Sequence, residues 1–318
     1  MEKIKIDFCD FHPNFSKTDN FLYKLLSEQY DLEICDQPDF LIFSNYGYAN
    51  KLHSGVKIFF SKESDFPNYQ YCDYSIGPIW LNQPNHLDLS HYVLYGEASE
   101  IIKKNDDHEK IILEKTRFCS FLVNSYKWRG KQTNKNRVEL FRKLCSYKKV
   151  DSAGGKFNNI GAPLSGGSRG KINYLRNYKF NIAFENRSLI GYTTEKIFEP
   201  MVSRCLPIYW GNPEINKEFN PKSFLNLSDF KSDDDLINKI IELDNDDIKY
   251  MEYMQQPYFY NDIPNRQFDK NRIFSFFDLI FRTRIKPTAR SGNKFLRFGR
   301  WIPVKRYRFH PANPSSWL

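Results

Sequence analysis

The feature that most constrains the fold is the segment 178–211, YKFNIAFENRSLIGYTTEKIFEPMVSRCLPIYWG. Short apolar runs that are separated by one polar loop and one amphipathic stretch are typical of a strand, loop, helix and strand. The pattern predicts a buried strand over 180–184, a polar loop over 185–192 and a second buried strand over 206–210. A unit of this kind directs its loop and the helix N-terminus at one place beyond the strand ends.

The start of the predicted helix has residues suited to bind a phosphate and a sugar. Thr193 and Thr194 are candidate N-caps. Free backbone N–H groups and the helix dipole favour an anion at this end. Lys196 adds a positive charge, and Glu195 can accept a hydrogen bond from a ribose or sugar hydroxyl.

The rest of the chain alternates strand and helix patterns in two successive sets. The first set has predicted strands at 3–8, 32–35, 40–44 and 57–61, and a helix at 20–28. The second has strands at 118–123 and 149–152, a glycine-rich loop at 158–170, and helices at 136–145, 171–177, 233–243 and 247–256. We therefore expect an α/β protein with two parallel sheets.

Composition limits the classes of protein that remain. No stretch approaches eighteen uninterrupted apolar residues, so no transmembrane helix is expected. The first ten residues have a strand pattern rather than the apolar core of a signal peptide, which favours a cytoplasmic location. The six cysteines are scattered without a CxxC pair, so we expect buried free thiols rather than a metal site or disulfides.

Four motifs between residues 184 and 227 resemble those of glycosyltransferase family 10, the α1,3/4-fucosyltransferases, and the bacterial members in particular. They are FEN, GYTTEKI, LPIYWG and FNPKSFLNL. The resemblance implies the GT-B architecture, in which two Rossmann-like domains face a cleft. The charged stretch 103–117 is the expected boundary between an acceptor-side domain (1–114) and a GDP-fucose-binding domain (115–269), and a tail (283–318) follows. The helix predicted at 270–282 is expected to cross back onto the first domain.

The resemblance also assigns donor-binding residues. It implies that Lys196 binds the donor diphosphate and that Glu195 binds the nucleotide ribose or nearby hydroxyls. Asn186 and Tyr192 match positions that line the diphosphate and the sugar. Arg137 matches an arginine that contacts the diphosphate in bacterial members, where its planar fork suits two phosphates.

The expected general base is Glu63, in the segment KIFFSKESDFPNY. The family places a glutamate at this strand end, shortly before a Ser and a Pro. The later CDYSIG motif at 72–77 follows at the distance that bacterial members show. A strand-end carboxylate is also well placed to face a cleft between domains.

Two further patterns have more ordinary interpretations. Gly154 and Gly155 are predicted to let the backbone approach the donor, but the nearby glycine-rich loop lacks the P-loop pattern. The strings 233–235 and 244–246 satisfy a literal DxD pattern, yet we expect both to cap helix N-termini. The resemblance implies a metal-independent enzyme without a cofactor, in which Arg and Lys replace the cation.

The expected function is an inverting transfer of L-fucose from GDP-β-L-fucose to a hydroxyl of N-acetylglucosamine in a glycan. An α1,3 linkage and a lipopolysaccharide or Lewis-type product are the first expectation. The alternatives are a GT-B transferase with another nucleotide sugar, a glycan-binding module without turnover, and a nucleic-acid-binding protein with a basic tail. The near-neutral body and the lack of nucleic-acid motifs count against the last.

The basic character of the chain is confined to its tail. The net charge is +9, but residues 281–318 contain ten Lys and Arg and no Asp or Glu. Aromatic residues (Phe, Trp and Tyr) are interleaved with these cations. This pattern favours peripheral binding to the anionic inner face of the cell membrane. Nucleic-acid binding and a simply solvated tail are the other interpretations.

Overall fold

Two parallel β-sheets follow one another along the chain in the computed structural model, which describes residues 3–103, 106–123, 133–286, 294–297 and 300–303. The first sheet has the strand order β2-β1-β3-β4-β5-β6. Its strands are β1 (Ile4–Cys9), β2 (Leu32–Ile34), β3 (Phe40–Phe43), β4 (Val56–Phe60), β5 (Tyr74–Gly77) and β6 (His86–Asp88). Helix α1 (Phe21–Ser27) connects β1 to β2, and the Asn20 side chain caps it by accepting from the Tyr23 N–H. The last two strands were not predicted from the sequence.

The second sheet has the order β11-β10-β9-β7-β8 and is also parallel. Helix α2 (His108–Leu113) precedes it, within the stretch where the domain boundary was expected. Its strands are β7 (Arg117–Phe121), β8 (Val150–Ser152), β9 (Tyr178–Phe184), β10 (Leu206–Trp210) and β11 (Leu225–Asn226). The helices are α3 (Thr133–Tyr147), α4 (Gly167–Leu175), α5 (Glu195–Val202), α6 (Asp233–Asn245) and α7 (Asp247–Met254). The two sheets give the expected α/β architecture.

The last long helix, α8 (Lys270–Thr283), returns to the first sheet. Its N-cap is Asp269, which accepts from the Asn271 N–H. Its buried residues follow a spacing of three and four, which places them on one face. These residues belong to the core that β1, β3 and β4 also line; they are Ile273, Phe276, Phe277, Ile280 and Phe281.

The two halves share part of their core. Helix α5 belongs to the second half by sequence, yet its Ile197, Phe198 and Met201 lie in the cluster that covers the first sheet. The Phe198 ring is stacked on Tyr92, with centroids 5.6 Å apart. Because α5 begins at the site described below, this contact helps to set the site relative to both sheets.

The beginning of the tail contacts the first sheet. The Tyr74 hydroxyl donates to the Ile285 carbonyl at 3.0 Å, and the Arg284 guanidinium lies 3.3 Å from the Asp39 carboxylate. The backbone of 294–297 and 300–303 forms an antiparallel pair of strands, β12 and β13. The remainder of the tail, on which the membrane prediction rests, lies outside the described residues.

Two expectations from composition can be compared with the structure. None of the described helices has the length and apolar character needed to cross a membrane. All six cysteines are free thiols. Three of them are buried, but Cys145 is exposed on α3, so the prediction of a buried thiol is wrong there.

Candidate active site

The site lies where the carboxyl ends of β9 and β10 meet the N-terminus of α5. Thr194 is the N-cap of α5, and its Oγ1 accepts from the Lys196 N–H at 3.4 Å. Its neighbour Thr193, the other candidate cap, instead donates to a buried carboxylate, Glu218. Glu195 and Lys196 therefore occupy the first turn, as the sequence predicts.

Lys196 is held between carboxylates. Its Nζ lies 3.3 Å from Glu185 Oε2 and 3.6 Å from Glu195 Oε1, and donates to Thr194 Oγ1 at 3.0 Å. Burial works against its charge, but the two carboxylates raise the pKa of Lys196 above its ordinary value. Glu195 is half-buried, yet Lys196 and His91 hold its pKa well below the usual range. Both residues are therefore charged at neutral pH.

Glu185 is the most deeply buried member of this cluster, with 0% exposure. It accepts from the Thr194 N–H at 2.7 Å and from the Thr194 hydroxyl at 2.9 and 2.8 Å. Burial raises the pKa of Glu185, while Lys196 and these donors oppose the rise. The sequence pointed to FEN as a motif but gave this glutamate no role. Its contacts fix the cap of α5 and the position of Lys196.

Arg137 lies one turn into α3 and is only 5% exposed. Its Nη2 donates to the Phe184 carbonyl and, at 3.2 Å, to Asn186 Oδ1. Its buried Nε has no partner among the described residues. Arg137 and Asn186, both predicted to bind the donor, are thus brought together beside the end of β9.

Glu63 comes from the first half of the molecule, in the exposed loop after β4. Its Oε2 accepts from the Tyr192 hydroxyl at 3.1 Å. Tyr192 is fully buried, and burial together with Glu185, Glu63 and Glu195 raises the pKa of its phenol, which keeps it protonated as the donor. The predicted base and a predicted donor-binding residue, 129 positions apart, therefore meet across the cleft.

A second carboxylate stands close to Glu63. Asp65 accepts from Ser61 Oγ at 2.8 Å and from Asn45 Nδ2 at 2.6 Å. Burial raises the pKa of Asp65, and Glu63 adds to the rise. The sequence did not single out Asp65, although it lies within the segment that carries the predicted base.

Close packing against Val123 explains why residue 154 is a glycine. A Cβ at this position would lie 2.1 Å from the Val123 carbonyl oxygen, so no larger residue fits without a shift of the backbone. Gly154 is buried and Gly155 is exposed. The close approach that is visible here is to Val123, and the donor contact of both glycines stays a prediction.

His91 is a member of the site that sequence reasoning missed. It opens a short 3-10 turn after β6, and its Nδ1 lies 2.8 Å from Glu195 Oε2. No aligned hydrogen bond to that nitrogen is found among the described residues, so the contact is established by the distance alone. Only the fold brings the two residues together, because 104 positions separate them in the sequence.

The two DxD strings lie on the outer helices. Asp233, Asp234 and Asp235 form the first turn of α6, whose cap is Ser232. Asp246 caps α7, but Asp244 is in the last turn of α6, where it accepts from Tyr147 at 2.9 Å. The expectation of N-terminal caps is therefore confirmed for Asp246 and wrong for Asp244, and 233–235 lie at a helix N-terminus without being its cap. Within the described ranges, no three His, Cys, Asp or Glu side chains are grouped so that they could hold a metal ion.

Two Rossmann-like sheets with polar groups from both halves at one cleft define a protein of the GT-B class. Comparison with known families adds a more specific result. The model of glycosyltransferase family 10 (fucosyltransferase), C-terminal part, matches residues 112–276. The model of the α-(1,3)-fucosyltransferase FucT N-terminal domain matches residues 6–95. The chain therefore belongs to glycosyltransferase family 10, and the resemblance seen in its motifs is confirmed.

Individual relatives agree with this assignment. An α-(1,3)-fucosyltransferase FucT of Helicobacter pylori is 30% identical over an alignment of 264 positions, which covers 69% of this chain and 52% of that protein. The chain thus spans about half the length of that relative. A crystal structure of an α1,3-fucosyltransferase has a TM-score of 0.72 and 26% identity, covering 88% of this chain and 90% of that one. A crystal structure of an α1,3-fucosyltransferase with GDP-fucose has a TM-score of 0.70 and 25% identity, with 88% and 91% coverage.

Proposed function

We propose that this protein transfers L-fucose from GDP-β-L-fucose to a hydroxyl of N-acetylglucosamine in a glycan, with inversion and an α1,3 linkage. The observation that carries the proposal is the contact between Glu63 and Tyr192 at 3.1 Å. It sets the exposed carboxylate of Glu63, from one half of the molecule, beside Tyr192 of the other half and close enough to Lys196 to act on its charge. This is the arrangement that a base and a departing diphosphate require.

Glu63 is suited to act as the base because it is exposed at the cleft and has an acceptor oxygen there. In the proposed step its carboxylate takes the proton of the acceptor hydroxyl as that oxygen attacks the anomeric carbon of fucose. The bond from this carbon to the phosphate oxygen breaks, and GDP leaves with the electron pair. Attack opposite the leaving group converts the β-linked donor into an α-linked product.

Arg137 and Lys196 are suited to stabilise the negative charge that develops on GDP. The buried Nε of Arg137, without a partner among the described residues, can donate to a phosphate oxygen while Nη2 keeps its contact with Asn186. The charge of Lys196 is shared between Glu185 and Glu195. In the proposed complex, Lys196 pairs with the donor diphosphate instead of with these carboxylates. Glu195 can then accept a hydrogen bond from a hydroxyl of the donor.

The reaction is proposed to be metal-independent, with these two side chains in place of a divalent cation. The biological setting is proposed to be lipopolysaccharide or Lewis-type glycan synthesis at the inner face of the cell membrane. The ten basic residues from 281 onward support the location, because anionic lipids attract them.

A panel of nucleotide sugars tests the proposed donor. Purified protein is offered GDP-fucose, GDP-mannose or UDP-N-acetylglucosamine with N-acetyllactosamine, and the release of nucleotide is compared with the gain of mass on the acceptor. We expect both signals with GDP-fucose alone. Transfer from another donor would replace the proposal with that activity, and nucleotide binding without transfer would indicate a binding module.

A further inference from the structure

A carboxylate that the proposed reaction does not use is buried between the two halves of the molecule. Glu218 is 2% exposed and accepts four side-chain hydrogen bonds. Its Oε2 accepts from the hydroxyls of Ser90 at 2.8 Å and Tyr92 at 2.6 Å, both from the segment after β6. Its Oε1 accepts from Thr193 Oγ1 at 2.6 Å and Asn212 Nδ2 at 2.9 Å, both from the second half. Oε2 thus accepts from residues of the first half, and Oε1 accepts from residues of the second half.

The Tyr92 and Thr193 hydroxyls each accept a hydrogen bond from another residue, so their protons are available to Glu218. The Tyr92 hydroxyl already accepts from Asn265 Nδ2 at 3.0 Å, and Thr193 Oγ1 accepts from Asn212 Nδ2 at 3.1 Å. Within the part of the chain that is described, the partners of the Glu218 carboxylate are its four hydrogen-bond donors, and none of them is a Lys or Arg. Hydroxyls and an amide alone therefore satisfy this carboxylate, and losing it would leave four buried donors short of an acceptor.

The residues that Glu218 holds stand on both sides of Glu195. Ser90 and Tyr92 flank His91, whose Nδ1 lies 2.8 Å from Glu195 Oε2 and whose backbone N–H donates to the Thr193 carbonyl at 3.1 Å. Thr193 in turn precedes the cap of α5. The network therefore sets the spacing between His91 and the first turn of α5.

The same network also fixes the middle of the loop before α5. Asn212 Oδ1 accepts from the Gly191 N–H at 2.9 Å. Gly191 has φ +86°, and a Cβ there would meet Trp80 of the first half at 2.3 Å. The Trp80 N–H donates to the Ile190 carbonyl at 3.1 Å. Residues 190–193 of the chain thus lie against the first half.

We propose that Glu218 is a positioning residue for the donor. It joins the segment 90–92 to the loop 190–194 and so holds Glu195 and Lys196 in the geometry that binds the nucleotide sugar, without touching that sugar. The inference rests on the proposed function for its kinetic consequence, but its structural consequence can be measured without any substrate.

The kinetic test compares Glu218→Gln with Asp73→Asn. Asp73 is a matched control because it is 6% exposed and accepts from the Lys57 N–H at the opposite end of the first sheet. We expect Glu218→Gln to raise the KM for GDP-fucose about tenfold, which corresponds to about 1.4 kcal/mol. The KM for the acceptor should change less than about twofold, and Asp73→Asn should leave both constants unchanged. The same KM for GDP-fucose in Glu218→Gln and Asp73→Asn would overturn the inference.

Milder variants keep the inference testable if Glu218→Gln does not fold. Tyr92→Phe removes one donor to Oε2, and Thr193→Val removes one donor to Oε1. Tyr258→Phe is the control, since the buried Tyr258 hydroxyl has no partner among the described residues. We expect the first two to raise the donor KM and the third to leave it unchanged. A donor KM that is unchanged in all three would refute the positioning role.

Amide hydrogen exchange without nucleotide separates this inference from the proposed function. Faster exchange across 190–196 in Glu218→Gln, but not in Asp73→Asn, is the expected result. Unchanged exchange there would overturn the inference even if the wild type transfers fucose. Faster exchange in a protein that uses no GDP-fucose would instead refute the proposed function and leave the positioning role supported.

Discussion

Replacing Glu63 by Gln separates chemistry from stability at this site. Glu63 is exposed, and its side chain accepts from Tyr192 across the cleft at 3.1 Å. Gln keeps that acceptor and strands no buried charge, so folding should lose no more than about 1 kcal/mol. The loss of a general base, in contrast, typically slows the reaction about 10²–10⁴-fold. We therefore expect a large fall in kcat with little change in the midpoint of thermal unfolding.

The assay measures kcat and KM for GDP-fucose, the affinity for GDP by calorimetry, and thermal unfolding. GDP affinity should stay within about twofold of wild type, because Glu63 faces the acceptor rather than the diphosphate in this account. Asp65→Asn is the matched comparison, since it changes a carboxylate two residues away that Ser61 and Asn45 already satisfy. Near-normal kcat in Glu63→Gln together with a large fall in Asp65→Asn would refute the assignment and make Asp65 the base.

The remaining predictions concern the cations, metals, the tail and pH. Arg137→Ala and Lys196→Ala should each raise the donor KM about 10-fold or more, as the loss of a charge-assisted contact of about 1.5–3 kcal/mol implies. Lys179→Ala removes the contacts of Lys179 with Asp247 and with the Asp244 carbonyl and should leave the donor KM unchanged; equal KM values in all three variants would contradict the donor site. Turnover should survive EDTA, and a loss that Mn²⁺ restores would reject the metal-free proposal. Truncation after Lys286 keeps the contacts of 284–286, so it should preserve turnover on a soluble acceptor and abolish co-sedimentation with anionic vesicles, and vesicle binding that persists would refute the membrane interpretation of the tail. The pKa of Glu195 is held below its usual range, so its ionic contribution to stability is complete above the pKa of the unfolded state and is lost as pH falls through the pKa of the folded state. The difference in free energy of unfolding between the wild type and Glu195→Gln should therefore decrease on acidification. An increase in that difference would contradict the pairing.

The parts of the fold that sequence reasoning could predict are those specified by local pattern. The apolar run before FEN, the cap at Thr194 and the amphipathic spacing of α8 each depend on neighbouring residues, and each is present in the structure. Strand β6 was missed because it has only three residues, HLD, and two of these are polar and partly exposed. A strand of this kind is defined by its partner β5 and has no recognisable pattern of its own.

The site could be predicted only in part, for a related reason. Motif resemblance supplied residues one at a time, but it gave no signal for contacts such as His91 with Glu195 or Tyr92 with Glu218. Such contacts depend on how two sheets are placed relative to one another. Gly154 shows the same limit, because its close neighbour Val123 lies two residues beyond the end of another strand, β7.

Determining the linkage of the product is the most direct test of the proposed fucosyl transfer. Wild-type protein is incubated with GDP-β-L-fucose and with type 1 or type 2 N-acetyllactosamine, and the product is examined by NMR for its anomeric configuration and the substituted carbon. We predict α-linked fucose on O3 of N-acetylglucosamine in the type 2 acceptor. A β-linked product would contradict the inverting mechanism, and the absence of any fucosylated product with both acceptors would contradict the proposed activity.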